Sequence, residues 1–190
     1  MICNPTYTIP SSPNSTILGT LSPISEPLDS QHLVLLFQNL FTSILSFDPK
    51  LIVEFNQTEP GPMPASTVDW MSQGIEIFDD ETSTPFQTFE EGRLSITYNQ
   101  RVLNLCTFYG PNRWNVAQRL KFGLSLAQNR QPLSSRGISL TSFSEQRNTS
   151  ILIQNKWQKI TNYRLTFKRL VTFVYPVDPI ESLAYNLHTN

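Results

Sequence analysis

Residues 93–126, RLSITYNQRVLNLCTFYGPNRWNVAQRLKFGLSL, decide the fold. Up to Tyr109 the stretch is rich in β-branched and aromatic residues and alternates locally. Leu94, Ile96 and Tyr98 fall on one face, and Val102, Cys106 and Phe108 continue it, which is the pattern of a strand packed on one side. Polar Asn99, Gln100 and Arg101 interrupt the alternation, so the segment reads as one bent strand or as a hairpin. Gly110-Pro111-Asn112 ends it. From Arg113 to Arg130, Val116, Ala117, Leu120, Leu124 and Ala127 make the core-facing stripe of a helix, for which Asn112 is the expected N-cap.

Toward the N-terminus, the run from Ser30 to Asp48 places Leu33, Leu36, Phe37, Leu40, Phe41, Ile44 and Leu45 three and four residues apart, a second amphipathic helix. Asp29 or Ser30 caps it, and Asp48-Pro49 stops it, because the residue before proline is steered out of helical geometry. LIVEF, from Leu51 to Phe55, reads as a short buried strand, and EPGPMP at 59–64 as a turn. Residues 65–92 read as one strand, Gly74 to Phe78, and an extended loop. Residues 1–29 carry proline every few positions and read as an extended arm, either a disordered N-terminus or a segment that orders on a neighbouring subunit through Ile17, Leu18, Leu21, Ile24 and Leu28.

Toward the C-terminus, residues 131–137 read as a loop, Ile138 to Phe143 as a strand, and Ile151 to Ile153 as a short apolar segment in a basic connection. Tyr163 to Tyr175 alternates as a long strand ended by Pro176 and Pro179, with a helical turn expected at 180–187. The sum is an α+β fold: a two-layer domain over 30–183, with two main helices packed on one face of a mostly antiparallel sheet, the arm at 1–29 before it and a tail at 184–190 after it.

Composition narrows the function. Charged residues are only 15% of the chain, with Ser, Thr, Asn and Gln supplying the polarity. Uncharged polar surface costs less to desolvate than charged surface, which suits a subunit that buries much of itself against neighbours. Two histidines, His32 and His188, lie at a helix start and near the C-terminus, a poor basis for a nucleophile–histidine dyad. Seven glycines form no phosphate-cradling loop, and Cys3 and Cys106 are too few for a disulfide framework or a metal cluster. No catalytic residue, cofactor or metal site is therefore expected. Nothing approaches the ~18–20 apolar residues of a membrane span and no export signal is visible, so no membrane partner is expected and the setting is a reducing cytoplasm.

Charge is unevenly placed. The net charge of −1 hides an acidic first part, up to residue 110, and a basic second part. Such polarity fits subunits that attract head to tail, or a basic face turned to nucleic acid. The acidic run Asp79, Asp80 and Glu81, joined by Glu76, lacks the glycine and spacing of a calcium loop and reads as a solvated loop or a subunit-facing patch. The basic set includes Arg113, Arg119, Lys121, Arg130, Arg136, Arg147, Lys156, Lys159, Arg164, Lys168 and Arg169, with Trp114 and Trp157 interleaved. It matches no nucleic-acid motif, and Trp and Arg are enriched at protein interfaces. Arg113, Trp114, Arg119, Lys121, Asp79, Asp80 and Glu81 are the candidate subunit or partner interface, and a nucleic-acid-binding module is the alternative.

The run FYGPNRWNVAQRLKFGLSL resembles the strand, glycine turn and helix of phage neck or tail terminator proteins. It is followed here, as there, by a strand like GISLTSFSEQRN and a long strand ending like RLTFKRLVTFVYPVDPIES. The resemblance covers roughly residues 31 to 183 and is one of layout. It implies a structural virion protein: a homo-oligomeric ring, a hexamer, that caps the tail tube and presents a surface to the neck connector or stopper protein. The tail sheath is a further partner, DNA is met only as it passes through the lumen, and assembly takes place in the host cytoplasm. Another head–tail connector, head-completion or minor tail protein is the runner-up. The arm at 1–29 and the acidic loop at 79–91 fall outside what the resemblance accounts for and are the candidate docking elements.

Overall fold

The computed structural model describes residues 22–25, 27–55, 63–80, 84–153 and 155–177. Most of the proposed arm, part of the 59–64 turn, Glu81, the turn at 180–187 and the tail at 184–190 lie outside the described residues. In chain order the elements are α1 (Ser30–Leu45), a 3-10 turn (Pro49–Leu51), β1 (Ile52–Glu54), β2 (Trp70–Asp79), β3 (Phe86–Glu90), β4 (Arg93–Tyr109), α2 (Arg113–Ser125), α3 (Ala127–Ser134), β5 (Ile138–Phe143), β6 (Arg147–Ile153) and β7 (Lys156–Pro176). The fold is α+β with a mostly antiparallel open sheet. The chain divides into two compact units, and β4 and β7 are long enough to contribute to both.

In the larger unit, residues 28–83 and 99–170, the strand order is β1-β2-β4-β7-β5, with β6 paired to β7. β1 runs parallel to β2, whereas β2/β4, β5/β7 and β6/β7 are antiparallel. Register assigns the faces: Met71 lies opposite Phe108, Gln73 opposite Cys106 and Ile77 opposite Val102. The apolar side chains among these meet the buried stripe of α1 (Leu33, Phe37, Leu40, Phe41, Leu45), that of α2 (Val116, Ala117, Leu120, Leu124) and Leu133 of α3 in one core, and the buried Gln73 amide donates to the Val34 carbonyl of α1. Phe37 packs on Phe167 of β7 with ring centroids 4.6 Å apart. Each such buried side chain is worth about 1.5–3 kcal/mol relative to exposure, so the helix–sheet layer is where most of the stability resides. On the opposite face Trp70 and Tyr109, cross-strand partners, stack at 3.8 Å and 4° with Ile160 beside them.

In the smaller unit, β3 and the first half of β4 form a hairpin through Glu91-Gly92, both in left-handed backbone (φ 49° and 71°), as a two-residue turn of this hand requires. The last residues of β7 belong here too: Thr97 and Thr172 share a 2.9 Å hydroxyl hydrogen bond, Tyr98 stacks on Phe173, and Ser25 bridges to Val174.

Several boundaries differ from the sequence expectation. The interrupted segment is one strand, the first of its two expected readings, with Gln100 and Asn104 buried in the β4 row and hydrogen-bonded there. The expected extended loop before it holds β3. The long second helix is two helices, which makes three among the described residues: Leu126 is extended (φ −76°, ψ 126°), and the Gly123 carbonyl at the break accepts both the Leu126 backbone N–H and the Asn129 side-chain amide. The expected loop at 131–137 is helical as far as Ser134, with Pro132 inside α3. The basic connection is the β6–β7 hairpin, which starts the long strand at Lys156 rather than Tyr163.

Candidate subunit interface

The strand–turn–helix corner is built around Gly110. Its φ of +99° is open to glycine, and a Cβ there would sit 2.6 Å from the Val68 carbonyl oxygen and 2.7 Å from the Asp69 Cα. That close approach lets the Asp69 carboxylate cap α2. Its Oδ1 accepts the Asn112 backbone N–H at 2.8 Å and its Oδ2 accepts the Asn112 side-chain amide at 3.2 Å. Asn112 stands at the N-cap position that the sequence indicates, but its side chain makes no capping hydrogen bond and is held by Asp69 instead. A negative charge at this helix end is favourable both as acceptor and against the helix dipole.

The cationic candidates lie along α2. Arg113, half-buried, donates to the Gly110 carbonyl at 3.4 Å and leaves its Nε without an acceptor. Trp114 is 42% exposed, and its carbonyl accepts the Gln146 side-chain amide. Arg119 donates to the Leu45 carbonyl at 2.9 Å, so its guanidinium ties α2 to the C-terminal end of α1. Lys121 is half-buried, with no carboxylate of the described residues within ion-pair reach.

The acidic candidates sit at the end of β2 and are engaged within the chain. Asp79 accepts from the Gln100 side chain at 2.8 Å. Gln100 in turn accepts Arg169 Nε at 2.8 Å, and Arg169 donates to the Leu28 carbonyl at 2.7 Å. Arg169 is thus a buried cation satisfied by a polar chain that pins β2, β4 and β7 to the start of α1. Asp80 pairs with Lys168 at 3.6 Å. Both carboxylates line a 790 Å³ cleft with Arg101, Lys168 and Phe78, whereas Arg113 lines a separate one. Glu81 lies outside the described residues. The structure therefore does not gather the acidic and basic candidates into one site.

The second cleft, 420 Å³, brings Arg113 together with Trp157 and Lys159 of β7 beside Gly110. Trp157 and its cross-strand partner Leu152 are exposed by 74% and 55% near the tip of the β6–β7 hairpin. The sequence places Trp157 in a basic set but not on a hairpin, because RNTSILI does not alternate and Gln154-Asn155 is not one of the glycine-containing pairs that mark a two-residue turn.

Chemically reactive groups are buried instead of converging. Burial pushes the Cys106 thiol well up from its ordinary value, and burial, with Cys106 beside it, does the same to the Tyr163 phenol. Among the described residues no group of three or more His, Cys, Asp or Glu side chains could hold a metal, and no helix is long and apolar enough to cross a membrane.

No curated protein matches the chain. A family model described as phage neck terminator protein matches residues 32–190, which takes in the described α+β core and the Gly110 corner. The chain belongs to the phage neck terminator proteins, structural components of the virion neck.

Proposed function

We propose that this protein forms a hexameric ring that ends the tail tube and joins it to the head-side connector or stopper protein. The observation that carries the reading is the family match over residues 32–190. The mechanism is geometric. One face of the ring matches the last ring of tube protein and the other offers no further polymerising contact, so elongation stops there. The acidic first part and basic second part of the chain support a heterologous contact that repeats from copy to copy and closes with cyclic symmetry. The domain over 30–183 forms the ring body, while the arm at 1–29 and, within the acidic segment 79–91, the residues ahead of β3 dock onto neck, tube or sheath. DNA passes through the lumen without being read, touching a few basic side chains. The subunit folds in the host cytoplasm and ends in the virion. The test is native mass spectrometry of the purified protein across a concentration series, with negative-stain imaging of the product and of isolated tails. Sixfold rings, or sixfold density for this chain at the tail end, support the reading; a subunit absent from the tail end in purified virions sinks it.

A further inference from the structure

Two sheet edges of this chain are open and oppositely charged. Among the described residues β6 pairs only with β7, and β3 only with β4, so within those residues each leaves one backbone edge without a strand. Neither sequence, RNTSILI or FQTFE, contains a proline or a lysine, and each carries a single charged side chain, Arg147 or Glu90, against an exposed edge. Each edge also bears large apolar side chains in water: Leu152 and Trp157 on the β6–β7 hairpin, and Phe86 (66% exposed) and Phe89 (53%) on β3. Leu152 and Trp157 lie side by side, so their exposure is concentrated at the hairpin tip rather than scattered singly.

Charge selects the partner. Residues 147–168 hold five basic side chains and no acidic one, and residues 76–91 hold six acidic side chains and no basic one. Like edges of two copies would therefore repel, and unlike edges attract. No carboxylate of the described residues pairs with Arg113, Arg147 or Lys159, so the hairpin's cations are not neutralised by those residues. The Arg113–Trp157–Lys159 cleft offers an aromatic wall and two cations, which is the complement of a phenylalanine followed by carboxylates, and Phe89-Glu90-Glu91 is such a sequence.

We infer that β3 of one copy, through Phe89, Glu90 and Glu91, docks in the Arg113–Trp157–Lys159 cleft of the next copy. This contact rests on the ring reading and names the surfaces that make the ring. Because the two surfaces differ, it is heterologous and propagates around a closed set.

The experiment places a benzophenone amino acid at Trp157 in the full chain, which keeps an aromatic ring there, and photolyses a mixture of isotopically light and heavy protein. Crosslinked peptides joining residue 157 to residues 86–91 with mixed isotope labels are expected. In parallel, Lys159→Glu and Glu90→Lys, both at exposed positions and checked for native circular dichroism, should each weaken subunit association by about tenfold or more, and the double variant should recover most of it. Rings whose crosslinks map elsewhere, or whose association ignores both reversals, overturn this contact and leave the ring reading standing. A chain that stays monomeric, forms no crosslink and is absent from the tail end overturns both. Steeply salt-dependent retention of duplex DNA that Lys159→Glu abolishes, without subunit crosslinks, overturns the contact in favour of nucleic acid.

Discussion

Asp69 closes the corner that Asn112 opens: one carboxylate takes both the backbone N–H and the side-chain amide of Asn112, at 2.8 and 3.2 Å. The pairing requires the chain at Gly110 to pass against Val68 and Asp69 with a backbone angle that other residues avoid. Gly110→Ala should therefore cost about 2–4 kcal/mol, from backbone strain and from the displaced Asp69 segment together. Asp69→Ala, which removes only the hydrogen bonds, should cost about 1–2 kcal/mol. Urea unfolding of the two variants checks this, and a Gly110→Ala protein as stable as the parent would show that the corner tolerates a Cβ.

Gly123 brings α2 onto α1. A Cβ at this position would collide with the Ile44 Cγ2 methyl, nearer than any ordinary contact. Alanine is the better helix former by about 1 kcal/mol, so in an isolated helix the substitution would stabilise. In this fold Gly123→Ala should instead destabilise by about 1–3 kcal/mol through overpacking. Ile44→Leu removes the branched methyl, and the double variant should recover most of the loss. A thermodynamic cycle with no coupling between the two positions would contradict the contact.

Much of the sheet and helix order is legible in the chain because burial writes a period into the sequence. The α1 stripe and the apolar alternation of β7 beyond Tyr163 both point to their elements for that reason. What is missed has weak or opposing periodicity. β3 and β6 are edge strands with polar or mixed faces, so nothing distinguishes FQTFE or RNTSILI from loop, and the break at Leu126 comes from backbone geometry inside an unbroken helical composition. The candidate residues fare likewise. Sequence identifies Asp79 and Asp80 as charged, but only the fold shows them held by Gln100 and Lys168, because those partners lie 21 and 88 residues away. Asp69, which holds the α2 corner, has no sequence signal beyond being an aspartate ahead of a strand.

Arg119 and Lys121 share a helix and a charge but do different work. Arg119 hydrogen-bonds the Leu45 carbonyl, so Arg119→Ala should lower stability by about 1 kcal/mol even in a monomer. Lys121 makes no such bond to the described residues through its side chain, and Lys121→Glu should leave monomer stability within about 0.5 kcal/mol of the parent. Loss of assembly in Lys121→Glu would then report an interface directly, whereas loss in Arg119 variants must be corrected for folding. Chemical denaturation paired with sedimentation velocity separates the two. Equal destabilisation by both substitutions would show that the Arg119 bond contributes nothing specific.

Cys106 predicts how stability depends on alkaline pH. Its thiol is buried in the core and hydrogen-bonds Asn104 at 3.3 Å, and burial raises its pKa far above the ordinary value of 9.0. The folded state thus keeps the proton through a pH range in which the unfolded chain releases it. Because the folded pKa is the higher one, this contribution to stability is complete below pH about 9 and is lost as pH rises beyond it, with a limiting slope of about 1.4 kcal/mol per pH unit for one group. Tyr163, whose phenol is raised for the same reason, adds a second fall starting near its ordinary value of 10.0. Cys106→Ala should be less stable at pH 7, since it removes core volume, yet should show a shallower decline between pH 9 and 10. Unfolding free energies measured across that interval for both proteins decide it, and parallel curves would mean that the thiol already ionises in the folded chain.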